Sequence, residues 1–257
     1  RDRAFVACHH TRMRKILLAS VLSACLTAFI PAAEAAPPPA APQTPADIVA
    51  KAPAAEWKRI APSDLLIMDL AADAAGHTRR VVIQLMPAPF SQGWVGNIRK
   101  LVAARWYDGI AVVRVQDNYV VQWGDPDGET PGKAKPLPKG LAPVPQSEYV
   151  APARGLPKDA SGGGDAYAPR NGFSAGWPIA GDEQASWPIH CYGMVGVGRN
   201  MAPDTGTGAE LYVVNGQAPR QLDRNVALVG RVISGMEHLS ALPRGTGDMG
   251  FYKTAQE

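Results

Sequence analysis

The sequence predicts an all-β barrel or sandwich, on three observations. Apolar runs of strand length recur along the chain, only two stretches carry helical periodicity, and the connecting segments are rich in glycine and proline. Ordered structure is expected to begin near Trp57. Residues 64–71 (Asp-Leu-Leu-Ile-Met-Asp-Leu-Ala) read as a buried strand and residues 79–86 as its hairpin partner, with the polar residues 73–78 as the turn. Ser91 is placed to cap a helix running to about Arg105, whose Val95, Ile98, Leu101 and Val102 share one face. Gly109 closes that region, and residues 110–115 and 119–122 read as two short strands. Strand character resumes at 193–198, 210–214 and 227–232, followed by a short helix over about 235–242.

Residues 130–188 have a different character. Their ten prolines and nine glycines in 59 residues rule out long regular elements over most of the stretch. It is too short and too poor in apolar runs for an independent domain, so it is expected to be a loop excursion that shields one side of the sheet. There is no internal repeat.

The first part of the chain is legible as a leader. Met13-Arg14-Lys15 is a basic start, residues 16–30 are mostly apolar, and Ala33-Glu34-Ala35 is a small-x-small cleavage site. This pattern predicts a secretory signal peptide, a mature chain starting at Ala36 and a periplasmic location. Residues 1–12 precede the only sensible initiator and stand outside the fold. A membrane span needs roughly 20 apolar residues, and Pro31 and Glu34 arrive too soon. Leu22-Ser23-Ala24-Cys25 matches the pattern cut in bacterial lipoproteins, but the short apolar stretch before it favours soluble export. Residues 36–56, opening Ala-Pro-Pro-Pro-Ala-Ala-Pro, read as an extended linker, which leaves 57–257 as one domain.

The formal charge of +3 belongs to the leader. Removing its five basic and two acidic residues from 26 and 23 leaves 21 of each sign, so the body has no footprint for nucleic acid or anionic lipid. Of three cysteines only Cys191 lies beyond Ala36, which excludes an internal disulfide in the mature chain.

The chemistry-bearing segments come in a distinctive order. Tyr107-Asp108-Gly109 leads through a strand to Arg114, and Tyr119-Val120-Val-Gln122-Trp-Gly124-Asp125 follows. Later come Gly193-Met-Val-Gly-Val-Gly198-Arg199, Glu210-Leu-Tyr212-Val, Leu222-Asp223, Val229-Gly230-Arg231-Val-Ile and Gly235-Met236. Together these segments resemble the cyclophilin-type peptidyl-prolyl isomerases over about 64–242, the long insertion apart. There the corresponding runs are Tyr-Asp-Gly before the catalytic Arg strand, Phe-Met-x-Gln-Gly-Gly-Asp, Gly-x-x-x-Met-Ala-Arg, Gln-Phe-Phe-Ile, Leu-Asp, Phe-Gly-Arg-Val and Gly-Met. The resemblance implies a closed eight-stranded antiparallel barrel with two capping helices. It also implies catalysis of cis–trans exchange before proline on exported proteins. The family barrel ends with a strand after the second helix. Only a polar tail follows Gly250-Phe-Tyr, so that last strand is expected to be missing and an edge exposed.

Prolyl isomerisation has a barrier of ~18–20 kcal/mol set by amide resonance, and needs neither nucleophile nor proton transfer. The site has to prefer the twisted amide, whose nitrogen regains a lone pair, over both planar forms. A fixed guanidinium can donate to that nitrogen, so Arg114 is the candidate catalytic residue. No cofactor and no metal is called for. By the resemblance, Tyr119, Val120, Tyr212 and Leu222 line the proline pocket, and Gln122 orients Arg114 or meets the substrate backbone. The backbone of Gly198 and Arg199 holds the residues before proline. Glu210 replaces the usual Gln, and its carboxylate could draw the guanidinium away from substrate. A weak or inactive peptide-binding module is therefore the alternative reading. The implied partner is a proline-containing segment of an exported protein, met by a monomer without nucleic acid or a membrane span.

Other motifs carry less. Asp204-Thr205-Gly206 has no second copy to share a proton, so it reads as a turn and not as half of an aspartic protease. Glycines 193, 196 and 198 do not form a dinucleotide fingerprint, and there is no nucleophile-elbow serine motif. His190-Cys191 lacks a second ligand pair for zinc, and Asp125-Pro-Asp-Gly-Glu lacks calcium-loop spacing.

Overall fold

The computed structural model describes residues 42–153 and 164–254. The chain divides into two compact units, 1–57 and 58–257. The leader and its cleavage site lie outside the described residues. The described part of the first unit holds a short helix, α1 (Pro45–Lys51), where the composition predicts an extended linker. Its sequence explains the difference. Thr44 and Asp47 form a reciprocal capping box, and Pro45 has a φ already suited to the first turn.

The second unit is built on strands, as expected. In chain order these are β1 (Leu65–Leu70), β2 (Arg79–Leu85), β3 (Ala111–Val115), β4 (Tyr119–Gly124), β5 (Ala151–Pro152), β6 (Arg170–Ser174), β7 (Trp177–Gly181), β8 (Ala185–Pro188), β9 (Met194–Val197), β10 (Leu211–Asn215) and β11 (Leu228–Ser234). The helices are α2 (Gln92–Ala103) and α3 (Met236–Ser240). Seven strands form one antiparallel sheet in the order β1-β2-β11-β9-β10-β4-β3. Alternation along β2 buries Val81, Ile83 and Leu85 and leaves Arg80 exposed, the mark of a sheet with one face on a core. That core includes Val115, Val121, Val195, Val197, Leu211, Val213 and Leu228. Among the described residues, no strand joins the outer edges of β1 and β3. A cavity of about 680 Å³ opens between them, lined by Leu66, Met68, Ile110, Val112, Trp123 and Leu211 among others.

Helix α2 packs Trp94, Val95, Ile98 and Leu101 into the core, while Val102, read from sequence as part of that face, is 41% exposed. Ser91 does not cap it. Its φ is 55° and its hydroxyl makes no cap bond. Instead Gly93 N–H donates to Glu148 Oε2 at 2.7 Å, a carboxylate supplied by the inserted segment at the positive end of the helix.

Where the sequence predicts a loop excursion, the described residues of the inserted segment from 151 onward pair as a sheet, and those before it remain turns with one short 3-10 helix. β5, β8, β7 and β6 form a second four-stranded sheet whose strands are two to five residues long. Frequent prolines and glycines shorten the strands without preventing pairing, so periodicity never shows in the sequence. Shielding does occur: Val144, Tyr149, Trp177 and Ile179 join the main core, and Trp187 with Ala180 and Ile189 forms a satellite beside it. Among the described residues no helix is long and apolar enough to cross a membrane.

Candidate active site

The site is assembled on the β3–β4–β10 end of the sheet. Register pairs Arg114 with Gln122 and Gln122 with Tyr212, which sets these three side chains on one face, together with Val120 opposite Val214. A bulge in β3 between Val112 and Arg114 aims the guanidinium.

Arg114 is half-buried and gripped on three sides. Nε donates to the Met249 carbonyl at 2.7 Å, one terminal nitrogen donates to Gln122 Oε1 at 3.2 Å, and the other donates to Gln116 Oε1. The cation also lies over the rings of Tyr119 and Phe251, 5.3 and 5.2 Å from their centroids. Burial lowers its pKa and the fields of Tyr119 and Glu210 oppose that. An Arg so placed remains a cation.

Glu210 does not form an ion pair with Arg114. Gln122, 8% exposed, stands between them and donates its amide to Glu210 Oε1 while accepting from the guanidinium. The Glu210 side chain lies across Gly198 and Gly124, where added Cβ atoms would stand 2.8 and 3.1 Å from it. Burial raises the Glu210 carboxyl above its ordinary value, and the Gln122 amide and Arg114 partly offset this.

Tyr212 is buried beside this cluster. Its ring passes so close over Gly196 that a Cβ there would meet the ring and hydroxyl at 2.3 Å. Val120 is 2% exposed and sits in the core cluster, with Tyr119 and Leu222 packed against it from partly exposed positions. The Gly198 N–H is already donated to the Glu210 carbonyl at 2.8 Å. The Arg199 guanidinium is turned to Asn225 and the Asn200 carbonyl. Arg114, Gln122, Glu210 and Tyr212 thus converge, whereas the Arg199 side chain is engaged elsewhere. The 680 Å³ cavity, at the gap between β1 and β3, is lined by none of the site residues read from sequence.

Two contributors escape sequence reasoning. Met249 acts through its carbonyl, with its own φ at 54°, and Phe251 is reached through an isolated bridge to Arg114. Neither stands in a segment that the sequence marks as part of the site. Elsewhere, Asp204 accepts the Gly206 and Asn200 N–H groups, as a turn residue does.

Comparison with known proteins follows the same direction. The family model for cyclophilin-type peptidyl-prolyl cis-trans isomerase/CLD matches residues 78–255. A relative from Synechocystis sp., provisionally named a thylakoid lumen peptidyl-prolyl cis-trans isomerase, is 23% identical over 175 residues. That match takes in 64% of this chain and 41% of the relative, so the chain spans about two-fifths of its length. Among solved structures, cyclophilin AquaCyp293 from Hirschia baltica superposes with a TM-score of 0.56 at 23% identity, covering 79% of this chain and 75% of that one. This likeness concerns the fold.

Proposed function

The chain belongs to the cyclophilin-type peptidyl-prolyl isomerase family, and we propose that it accelerates cis–trans exchange of Xaa-Pro bonds with Arg114 as its catalytic residue. The observation that carries this reading is the state of the guanidinium. Arg has five N–H donors. Nε–H and one hydrogen from each terminal nitrogen are engaged by Met249, Gln122 and Gln116, so each terminal nitrogen keeps one hydrogen for substrate. The grip fixes the direction of those two hydrogens before substrate arrives, which makes a donor effective towards charge that develops only in the twisted amide. Tyr212, Val120, Tyr119 and Leu222 form the apolar wall for the pyrrolidine ring. The backbone of Gly198 and Arg199 runs beside the residues before proline, and Gln122 relays the position of Glu210 to Arg114.

The same reading takes the full barrel as eight-stranded and closed. β1 and β3 run in the same direction at the two ends of an antiparallel sheet, so one strand running opposite to both would pair with each. Export by a signal peptide, a soluble periplasmic life as a monomer and action on newly exported proline-containing segments complete the proposal.

A protease-coupled assay on a proline-containing peptide tests it. Arg114→Ala is expected to lower kcat/KM by about 10²–10³, the loss for one preorganised donor. Equal low rates for wild type and variant would leave only a peptide-binding module. That second reading draws support from the Glu210 carboxylate, which holds Gln122 where relatives have an amide.

A further inference from the structure

A second polar network lies behind the Arg114 cluster and runs from the inserted segment to Tyr212. His190 is fully buried between two partners. Its Nδ1 is 2.9 Å from Asp223 Oδ1, and its Nε2 is 2.8 Å from the Tyr212 hydroxyl. Asp223 Oδ1 also accepts the His190 backbone N–H at 3.1 Å, and Oδ2 accepts Arg220 Nε at 2.6 Å. The other end of Arg220 is paired with Asp165. Asp165 in turn accepts the Tyr167 and Ala168 N–H groups and so fixes the turn before β6.

The chemistry settles the proton positions along this line. Both Asp223 oxygens already accept, Oδ1 from the His190 backbone N–H and Oδ2 from Arg220 Nε, so Nδ1 carries the imidazole proton. Burial lowers the His190 pKa while Asp223 opposes this, and the neutral ring leaves Nε2 as an acceptor. The Tyr212 hydroxyl must then donate inward. A phenol tied at its tip and pressed over Gly196 can neither swing nor flip, which gives the proline ring a floor of fixed shape.

We propose that His190 and Asp223 are positioning residues for the pocket, acting through the Tyr212 hydroxyl, and that Arg220–Asp165 ties their hold to the inserted sheet. This rests on the isomerase reading of the site. The insertion thereby gains a role, since it anchors the far end of the line that sets the pocket floor.

The test compares isomerase kcat/KM for wild type, His190→Leu, His190→Gln, Tyr212→Phe and the Tyr212→Phe/His190→Leu pair. His190→Leu is expected to lower kcat/KM about tenfold, the scale of one buried partner lost. His190→Gln keeps an acceptor where Nε2 stands and should return to within about threefold of wild type. In the Tyr212→Phe background, with no hydroxyl to hold, His190→Leu should add less than about twofold. An equal tenfold loss in both backgrounds overturns the inference and leaves the isomerase reading standing. An inactive wild type removes the reading itself. If His190→Leu fails to fold, nitrogen-15 spectra of the wild-type histidines decide: a proton on Nδ1 of His190 supports the inference, and a proton on Nε2 overturns it.

Discussion

At position 114 the side chain is held on three sides and still has hydrogens to offer, and the identity of its holders sets what the sequence could reveal. Gln122 is named through the resemblance of its segment to the family's Phe-Met-x-Gln run, and in the structure strand register places it against Arg114, eight residues away. Met249 is not named, since a backbone carbonyl 135 residues distant leaves no trace in residue type. The concern over Glu210 has a geometric answer: it engages Gln122 and not the guanidinium. It also has an energetic consequence. Burial holds the Glu210 carboxyl above its ordinary 4.5, so the folded state keeps this proton to higher pH than the unfolded chain. Ionising it in place opposes folding, and stability falls as pH rises from about 4.5 through the raised value. Urea unfolding at a series of pH values is expected to show Glu210→Gln gaining on wild type as pH climbs through that window, with no gain below it. A constant difference across the series would mean that the carboxyl is not perturbed.

Among the elements, the strands of the main sheet were readable because each is a run of β-branched and apolar residues bounded by turns. The helix start was not. Ser91 has the right chemistry for a cap but sits at φ 55°, and the bond it was expected to make comes from Glu148, 55 residues on from Gly93. A cap supplied across an insertion has no local spacing to betray it. Glu148→Ala is expected to lower stability by about 1 kcal/mol, the usual loss for a helix cap, in chemical unfolding. Trp94 marks the same junction from the inside. It stacks on Tyr149 at 5.2 Å and donates to the Thr205 and Gly206 carbonyls, which joins α2, the inserted segment and the loop before β10. Trp94→Ala is expected to cost about 3–5 kcal/mol, measured the same way, because packing and the indole's donation to two partly buried carbonyls are lost together.

Across the whole molecule, the antiparallel β architecture and the order of the motif segments were legible, and the second sheet was not. Strands of two to five residues with Pro152, Pro178 and Pro188 inside or at their ends defeat a period-2 reading. Their partners are set by register across the insertion, as between Ile179 and Pro188, and not by pattern. The candidate site divides in the same way. The candidates on paired strands are named through the family resemblance, whereas Met249, Phe251 and the line behind Tyr212 depend on segments brought in from far along the chain.

The central claim is that a fixed guanidinium fork, and not positive charge alone, favours the twisted imide. Exchange spectroscopy on a proline-containing peptide measures cis–trans interconversion at equilibrium without a coupling protease. Arg114→Lys keeps the charge but loses the planar fork, and its Nζ cannot meet Met249, Gln122 and Gln116 while still facing substrate. Catalytic amounts of wild type should produce exchange cross-peaks, with the Lys variant slower by about 10²-fold. Equal exchange by the two proteins, or none by wild type, would contradict the account.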